Sequence, residues 1–562
     1  MAKKIKTDIQ ETLQTVRDFE IEEVMTRLCN ANAGDLNIVN KIAVLFLAYK
    51  YSEFESFVEI KADIEKNIVD ESTKEKLLNT LEKFYKTVDE LSRIYRRKEL
   101  KKALFDLTSK RIEEHGEFQD LPDGVIELIL ALLDIKEGEK FLHVNASTFK
   151  IPMRVADNEK ISVCGSCESQ NSLYMGNIRS AVVDNRIEVK FGNILESEFF
   201  DIQADKVLVY PKYGRIHSRD IVNKELNNFC ERIFSRELAY TVSGILNQKP
   251  GGVTVAVLPE NVLVNEADKD IRKKLLESGK IEGIISLHPF LGMQHNLVIF
   301  SENNTAVKML DARKFFTDDA RNSILSYDNV KEILRCYNSK TENYIEVPND
   351  KIVANNYVIY PARYLIKEKI DFEGENLSKF IKSIQRGAQQ INSEELDKIK
   401  SDVPTDYQLL NIQDITEIGI NKNLTYLKEE TYLKYKKNFV SAGDIVISKI
   451  SPFKSAIIPD NNKKILISGN LYALKVADDV NPNWLLLCLK NPKIIMQLNA
   501  MASGGVSKII NPVNLNQIKI PKVSLDSQNE IAKEYTALIG EMETLNLKTE
   551  EIRNKIKNLI DI

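Results

Sequence analysis

Gly251–Phe300 reads GGVTVAVLPENVLVNEADKDIRKKLLESGKIEGIISLHPFLGMQHNLVIF, and its texture decides the fold class. Val253–Leu258 is an unbroken aliphatic run behind the turn Lys249-Pro250-Gly251-Gly252, the pattern of a strand buried on both faces. Ile271–Ser278 has helical spacing, and Ile281–Ser286 and Asn296–Phe300 return to short apolar runs. Strands alternating with helices need crossover connections and therefore an α/β sheet. The same texture reaches back toward residue 120. Val125–Leu133 reads as a helix, and Lys140–Val144, Arg186–Phe191 and Lys206–Tyr210 read as strands.

On either side the pattern changes. Residues 1 to about 120 read as helical, and Lys74–Lys102 contains neither Gly nor Pro and is amphipathic. Residues 305–370 read as a connector ending in Asn355–Tyr364. From 375 to 525 short strands alternate with turn signals (Ser441-Ala-Gly-Asp, Pro459-Asp-Asn-Asn, Asn481-Pro-Asn, Ala502-Ser-Gly-Gly), which suits a β-rich domain with a few helices. The chain ends in a helix whose positions Ile531, Tyr535, Leu538, Met542, Leu545, Thr549, Ile552, Ile556 and Leu559 step by four and three. That is a heptad seam for another helix, with docking on its own domain as the alternative.

The 562 residues allow about three domains, and 43% hydrophobic with 28% charged residues is ordinary globular composition. The net charge of −4 excludes a generally basic nucleic-acid binder, so any DNA contact must use a local patch. Six cysteines argue for a reducing compartment. The start, Met1-Ala-Lys-Lys-Ile-Lys, has no apolar signal core behind it, and no run approaches the ~18 apolar residues of a membrane span. A cytoplasmic protein is expected.

Between Thr431 and Lys464 seven lysines (434, 436, 437, 449, 454, 463, 464) stand against two aspartates. Such a patch can neutralise phosphates and position a domain on a duplex. Tyr426, Tyr432 and Tyr435 interleave with it. Asn421, Asn423 and Gln413 have the donor–acceptor pairs that read an adenine edge. Lys508 lies beyond. The plain alternative is a solvated lysine-rich surface.

Residues 377 to about 530 also resemble the target-recognition domain of type I restriction-modification specificity subunits. Leu377–Gly387, Gly443-Asp-Ile-Val-Ile-Ser-Lys449, Ala456-Ile-Ile-Pro459, Asn481–Lys490, Ile518-Lys-Ile-Pro521 and Gln528-Asn-Glu-Ile-Ala532 carry the likeness in order. Such subunits hold two recognition domains and one is found here, so the resemblance implies a half-site reader that pairs through its terminal helix.

Residues 120–365 resemble the modification subunit of the same systems, an adenine-N6 DNA methyltransferase, most closely at Gly251–Leu263, Ile271–Leu276, Ile281–Pro289 and Asn296–Phe300. Two chemical motifs of that family are altered. Its glycine-rich turn lets backbone approach S-adenosylmethionine, whereas this chain has His143-Val-Asn145-Ala-Ser-Thr-Phe-Lys150. Its Asn/Asp-Pro-Pro-aromatic tetrapeptide holds the flipped adenine, and here the aligned residues are Tyr210-Pro211-Lys212-Tyr213. The resemblance would put Glu168 and Asn193 where the family binds the ligand's ribose and adenine, with ordinary surface residues as the alternative.

The fold class expected is a multidomain α/β chain. It has a helical N-terminal domain (1–119), a Rossmann-like methyltransferase-type sheet (120–370), an α+β target-recognition domain (371–527) and a long C-terminal helix (528–562). The function expected is sequence-specific double-stranded DNA binding by a catalytically silent methyltransferase fused to a recognition domain. It would serve as the specificity component of a restriction-modification or related anti-phage defence system, with an active methyltransferase or nuclease subunit as partner. The alternative is an active adenine-N6 methyltransferase using S-adenosylmethionine with divergent motifs. Cys164-Gly-Ser-Cys167 lacks a second pair for zinc, and the five histidines (115, 143, 217, 288, 295) form no ligand set, so no metal is expected. Nor is there a GxxxxGK[ST] loop.

Overall fold

The aliphatic run behind Gly251-Gly252 is the middle of a nine-stranded sheet. The computed structural model describes residues 24–25, 37–54, 56–107, 120–193, 195, 202–216, 221, 223–230, 232–290, 293–319, 322–339, 343–365, 372–389, 391–502 and 508–559. Two units partition the chain, residues 1–361 and 362–562. In chain order the strands of the first are β1 (Lys140–Val144), β2 (Ser162–Cys167), β3 (Ile187–Phe191), β4 (Ala204–Val209), β5 (Gln248–Pro259), β6 (Ile281–Ser286), β7 (His295–Phe300) and β8 (Ala306–Asp311). A hairpin, β9–β10 (Thr317–Asp319, Asn322–Ile324), and β11 (Tyr344–Pro348) follow. The hairpin apart, they form one sheet in the order β11-β8-β6-β7-β5-β4-β1-β2-β3. The run from β3 to β5 is parallel, and β7 is antiparallel to both its neighbours, β5 and β6. Every residue of β7 is buried, as a strand covered on both faces requires.

The strands expected at 140–144 and 281–286 have those bounds, and β5 starts earlier than expected, at Gln248, so that it runs through the expected Lys249–Gly252 turn. The segment 305–370 is corrected: it is no connector, because β8 and β11 widen the sheet and helix Tyr327–Ser339 packs beside them.

Among the described residues the N-terminal part of this unit is helical, with α1 (Ile38–Tyr51), α2 (Phe57–Asn67), α3 (Glu71–Ile94) and α4 (Arg97–Asp106). Asn37 caps α1 by accepting from the Asn40 amide at 2.9 Å, and α1 is apolar nearly all round because it is the centre of its bundle. The single helix expected over Lys74–Lys102 is broken at Tyr95-Arg96, where the backbone turns extended. These helices share one hydrophobic core with the sheet. The helical reading of 1–23, 26–36 and 108–119 falls outside the described residues. Next come α5 (Asp123–Leu133), α6 (Lys150–Ala156), α7 (Gln170–Val182), α8 (Lys224–Phe229) and α9 (Arg236–Leu246).

The second unit is built on two four-stranded sheets. One has the order β13-β20-β17-β18 (Ile381–Arg386, Leu471–Val476, Ile445–Ser448, Ser455–Ile457) and the other β15-β14-β19-β16 (Thr425–Tyr426, Tyr407–Leu410, Lys464–Ile467, Phe439–Val440). A short pair, β12 (Gly374–Asn376) with β21 (Lys519–Pro521), ties its beginning to its end. Three of its helices start on Asn-Pro: Asn481, Asn491 and Asn511 each accept from amides of the first turn while the proline takes the first helical position. Helix Leu525–Asn558 runs 34 residues at its end. The Ser503–Gly505 part of the expected turn lies outside the described residues. No described helix is long and apolar enough to cross a membrane.

Candidate functional site

In the first unit the aligned motif residues gather at the ends of β1, β2 and β4. His143, on β1, is 2% exposed; neither ring nitrogen has a hydrogen-bond partner among the described residues, and burial holds its pKa down to about 3. It is a neutral core residue. After it, Asn145, Ser147 and Phe149 have φ of 60°, 48° and 60°. The chain therefore keeps a left-handed turn normally given to glycine, but with side chains attached. Neighbours hold the strained loop. Asn145 donates its side-chain amide to the Tyr210 carbonyl at 2.7 Å, and Ala146 donates its backbone N–H to Ser166 O at 2.8 Å. Fully buried Arg179 on α7 donates to Thr148 O at 2.8 Å and Leu107 O at 2.9 Å. The Phe149 ring sits where two glycines leave room: a Cβ on Gly165 would come within 2.5 Å of it and one on Gly176 within 2.9 Å.

Glu168, just past β2, is already engaged. The Tyr240 hydroxyl of α9 donates to its Oε1, and Lys212 Nζ lies 3.4 Å from its Oε2. Asn193 accepts from the Leu195 amide at 3.0 Å. Tyr210 and Pro211 are buried, and the Tyr213 hydroxyl lies 2.7 Å from Nε2 of His295 on β7. The His295 ring stacks on Phe290 with centroids 4.0 Å apart, and burial holds its pKa down to about 4. Glu237 accepts the Gly214 amide at 3.3 Å through Oε1, its Oε2 is buried without a partner, and burial pushes its pKa up to about 7.

These residues do not fit S-adenosylmethionine. The loop that must approach it carries side chains, and the carboxylate that would hold its ribose is bound by Lys212 and Tyr240. Lys212, at the tetrapeptide's third position, is a donor only and cannot accept an adenine amine. Tyr240, His295, Glu237 and Arg179 were missed by sequence reasoning. Tyr240 lies 72 residues from Glu168 and His295 lies 82 from Tyr213, so no local spacing signals either pair. Cys164 and Cys167 are buried free thiols, and burial pushes both pKa values up to about 12, leaving them unreactive.

In the second unit the expected DNA residues separate into groups. The sheet β15-β14-β19-β16 carries helix Thr431–Tyr435 with Lys436–Asn438 behind it, and places Tyr432, Lys434, Lys436 and Lys437 in one run. Lys436 and Lys437 are exposed; Lys434 is exposed and pairs with Glu395 at 2.6 Å. Lys464 Nζ lies 4.8 Å over the Tyr432 ring and 5.0 Å over that of Tyr407. Asn421 and Asn423 are exposed on the loop before β15. Lys454 donates to Ile415 O at 3.2 Å, and Lys508 donates to Asn499 O at 3.3 Å.

Two expected contacts are corrected by burial. Lys449 is 7% exposed, donates to the Gly469 carbonyl, and lies 4.8 Å over the Tyr472 ring, so it serves the interior. Tyr435 is 5% exposed and donates to Glu395 at 3.0 Å.

Residues 102–372 match the family model described as N-6 DNA Methylase. No curated protein sequence matches the chain. Among solved structures, a nuclease-deletion mutant of the Type ISP restriction-modification enzyme LlaGI, in complex with a DNA substrate mimic, is similar over 95% of this chain and 66% of that one. The identity is 11% and the TM-score 0.51. The type I restriction-modification methyltransferase subunit from Streptococcus thermophilus is similar over 61% of this chain and 98% of its own, at 16% identity and TM-score 0.44. A modification subunit of a putative type I restriction enzyme from Vibrio vulnificus YJ016 covers 60% and 93%, at 12% and 0.46. The large sheet is mostly parallel, and at 11% identity the likeness to the LlaGI structure is one of fold alone.

Proposed function

We propose, from the match of residues 102–372 to the N-6 DNA Methylase family model, that this chain reads a specific duplex DNA sequence and does not itself methylate. Its first unit is a methyltransferase body without methyl transfer, and residues 371–527 are a target-recognition domain. The chain acts as the specificity component of a restriction-modification or related defence assembly whose catalytic subunit is another protein. The terminal helix joins it to a second copy or to that subunit.

The observation that carries the silent body is the state of Glu168. Its carboxylate is engaged by Lys212 and Tyr240, both from this chain, and a ligand hydroxyl would have to displace a charge-assisted contact. The recognition role is supported by the exposed run Lys434, Lys436, Lys437 beside Tyr432, with amide side chains on the neighbouring loop. LlaGI's DNA complex is consistent with it.

Calorimetric titration with S-adenosylmethionine should give no binding heat at millimolar ligand. Selection from a random duplex pool should enrich one motif. Tight binding of the donor with methyl transfer to DNA would establish the active-methyltransferase alternative, and a pool without enrichment would remove the recognition role.

A further inference from the structure

His295 is out of character for its place. β7 is buried along its whole length, and strands covered on both faces are built mainly from aliphatic side chains. Its first residue is instead an imidazole that is 0% exposed. The backbone fixes that ring closely. His295 stands opposite Pro259 of β5, and its carbonyl accepts the Leu287 amide at 3.0 Å. The turn between them is closed by Phe290 and Met293, whose amides each lie 3.1 Å from the other's carbonyl.

This turn lays the imidazole flat on Phe290, with centroids 4.0 Å apart and planes 14° from parallel. The ring's edge is also taken, because Nε2 lies 2.7 Å from the Tyr213 hydroxyl. The Tyr213 ring itself is tilted by 39° at 5.9 Å. Tyr213 is half-buried and its neighbour Gly214 exposed, so the ring's hydrogen-bond partner borders solvent. A base lifted out of a duplex is held in just these two ways, by stacking on a side chain and by hydrogen bonds to its edge. Ordinary packing explains either contact alone. The two together, on the aromatic at the tetrapeptide's last position, point to a seat for a base that is already filled. A base entering it would have to strip His295 from both Phe290 and Tyr213, and His295 is anchored in a strand held between β6 and β5.

We propose that the His295 ring occupies the seat of a flipped purine in this body, so that the chain binds duplex DNA without drawing a base out of it. The inference deepens the proposed function and rests on its reading of the first unit as a methyltransferase body. It adds that the target base is shut out as well as the methyl donor.

The test uses the full chain. His295→Gly empties the seat, and His295→Leu refills it with a side chain that has no edge to hydrogen-bond. Equilibrium dialysis measures free adenine and free imidazole, at a pH where imidazole is neutral. His295→Gly should bind both, adenine about fivefold or more tightly because it covers more of Phe290. The wild type and His295→Leu should bind neither. If His295→Gly folds only with imidazole present, His295→Ala carries the adenine measurement. A variant that takes imidazole and refuses adenine has only a hole of the lost ring's size, and overturns the proposal. Adenine binding by the wild type overturns it too. On the selected duplex, permanganate oxidation reports any thymine whose partner has been drawn out. None should react on the wild type and one should react on His295→Gly; the reverse of either result is equally fatal. A wild type that binds S-adenosylmethionine yet bares no thymine would remove the reading of the donor site and leave the filled seat standing. If no motif is enriched, the recognition role falls while the dialysis still decides the seat.

Discussion

At the scale of single residues, Glu237 opposes His143 and His295 in its effect on the stability of the first unit. Glu237 is held up at about 7, so its contribution is fully present below pH 4.5 and is lost as pH rises through about 7. His143 and His295, held down to about 3 and about 4, contribute stability that is present above pH 6.5 and lost as pH falls through those values. Glu237→Gln should therefore gain stability relative to wild type by about 2–3 kcal/mol between pH 4.5 and 7. The single tryptophan, Trp484, belongs to the other unit, so the readout is hydrogen exchange of the α9 amides. A difference that stays constant across that range would mean the carboxyl is not desolvated. The sequence marked the altered motifs at His143–Lys150 and Tyr210–Tyr213 because they depart from a pattern. It could not mark Tyr240 or His295, which reach Glu168 and Tyr213 only through the tertiary fold. Nor could it separate Lys449 from Lys436, since lysine reads alike whether it is solvated or turned onto a carbonyl and a ring.

At the scale of elements, the strands buried on both faces were the most legible. Val253–Leu258 and Ile281–Ser286 announce themselves by composition, and β5, β6 and β7 lie side by side where those runs predict. The segment 305–370 misled because Ala306–Asp311 (AVKMLD) and Tyr344–Pro348 (YIEVP) mix charge into short strands toward the sheet edge, where one face meets water. The break at Tyr95-Arg96 was hidden because the apolar spacing continues across it. The terminal helix was legible throughout, and its weakest point is equally plain. Gly540 sits on the face away from the seam, and a methyl group placed on its Cα would meet nothing within 4 Å. Gly540→Ala should stabilise the helix by about 0.5–1 kcal/mol, read as slower amide exchange over 536–546, with dimerisation unaffected by any new contact. Faster exchange would mean that the helix is bent there and uses glycine's freedom.

At the scale of the whole molecule, a protein of net charge −4 can hold DNA only where cations are concentrated and free. Of the seven lysines between Thr431 and Lys464, Lys449 serves the interior, Lys463 pairs with Asp406 at 2.6 Å and Lys434 with Glu395. An exposed pair of that kind is worth little and can be exchanged for a phosphate, but Lys436 and Lys437 are exposed and have no ion-pair partner among the described residues. Each phosphate contact adds about 0.9 to the slope of log affinity against log salt. Lys436→Ala with Lys437→Ala should thus lower that slope by about 2 for any duplex, and weaken binding to the selected motif and to random DNA alike. Lys449→Ala should leave the slope where it is and lower the stability of the second unit, because it strips a donor from the Gly469 carbonyl and opens space beside Tyr472. A slope that responds to Lys449 and ignores Lys436 and Lys437 would place the duplex on the sheet β13-β20-β17-β18 instead of the one bearing helix Thr431–Tyr435. If the chain pairs as its terminal helix implies, each duplex site meets two such patches, and the two-lysine change would then remove about 4 from the slope per dimer, twice the value for a single reader.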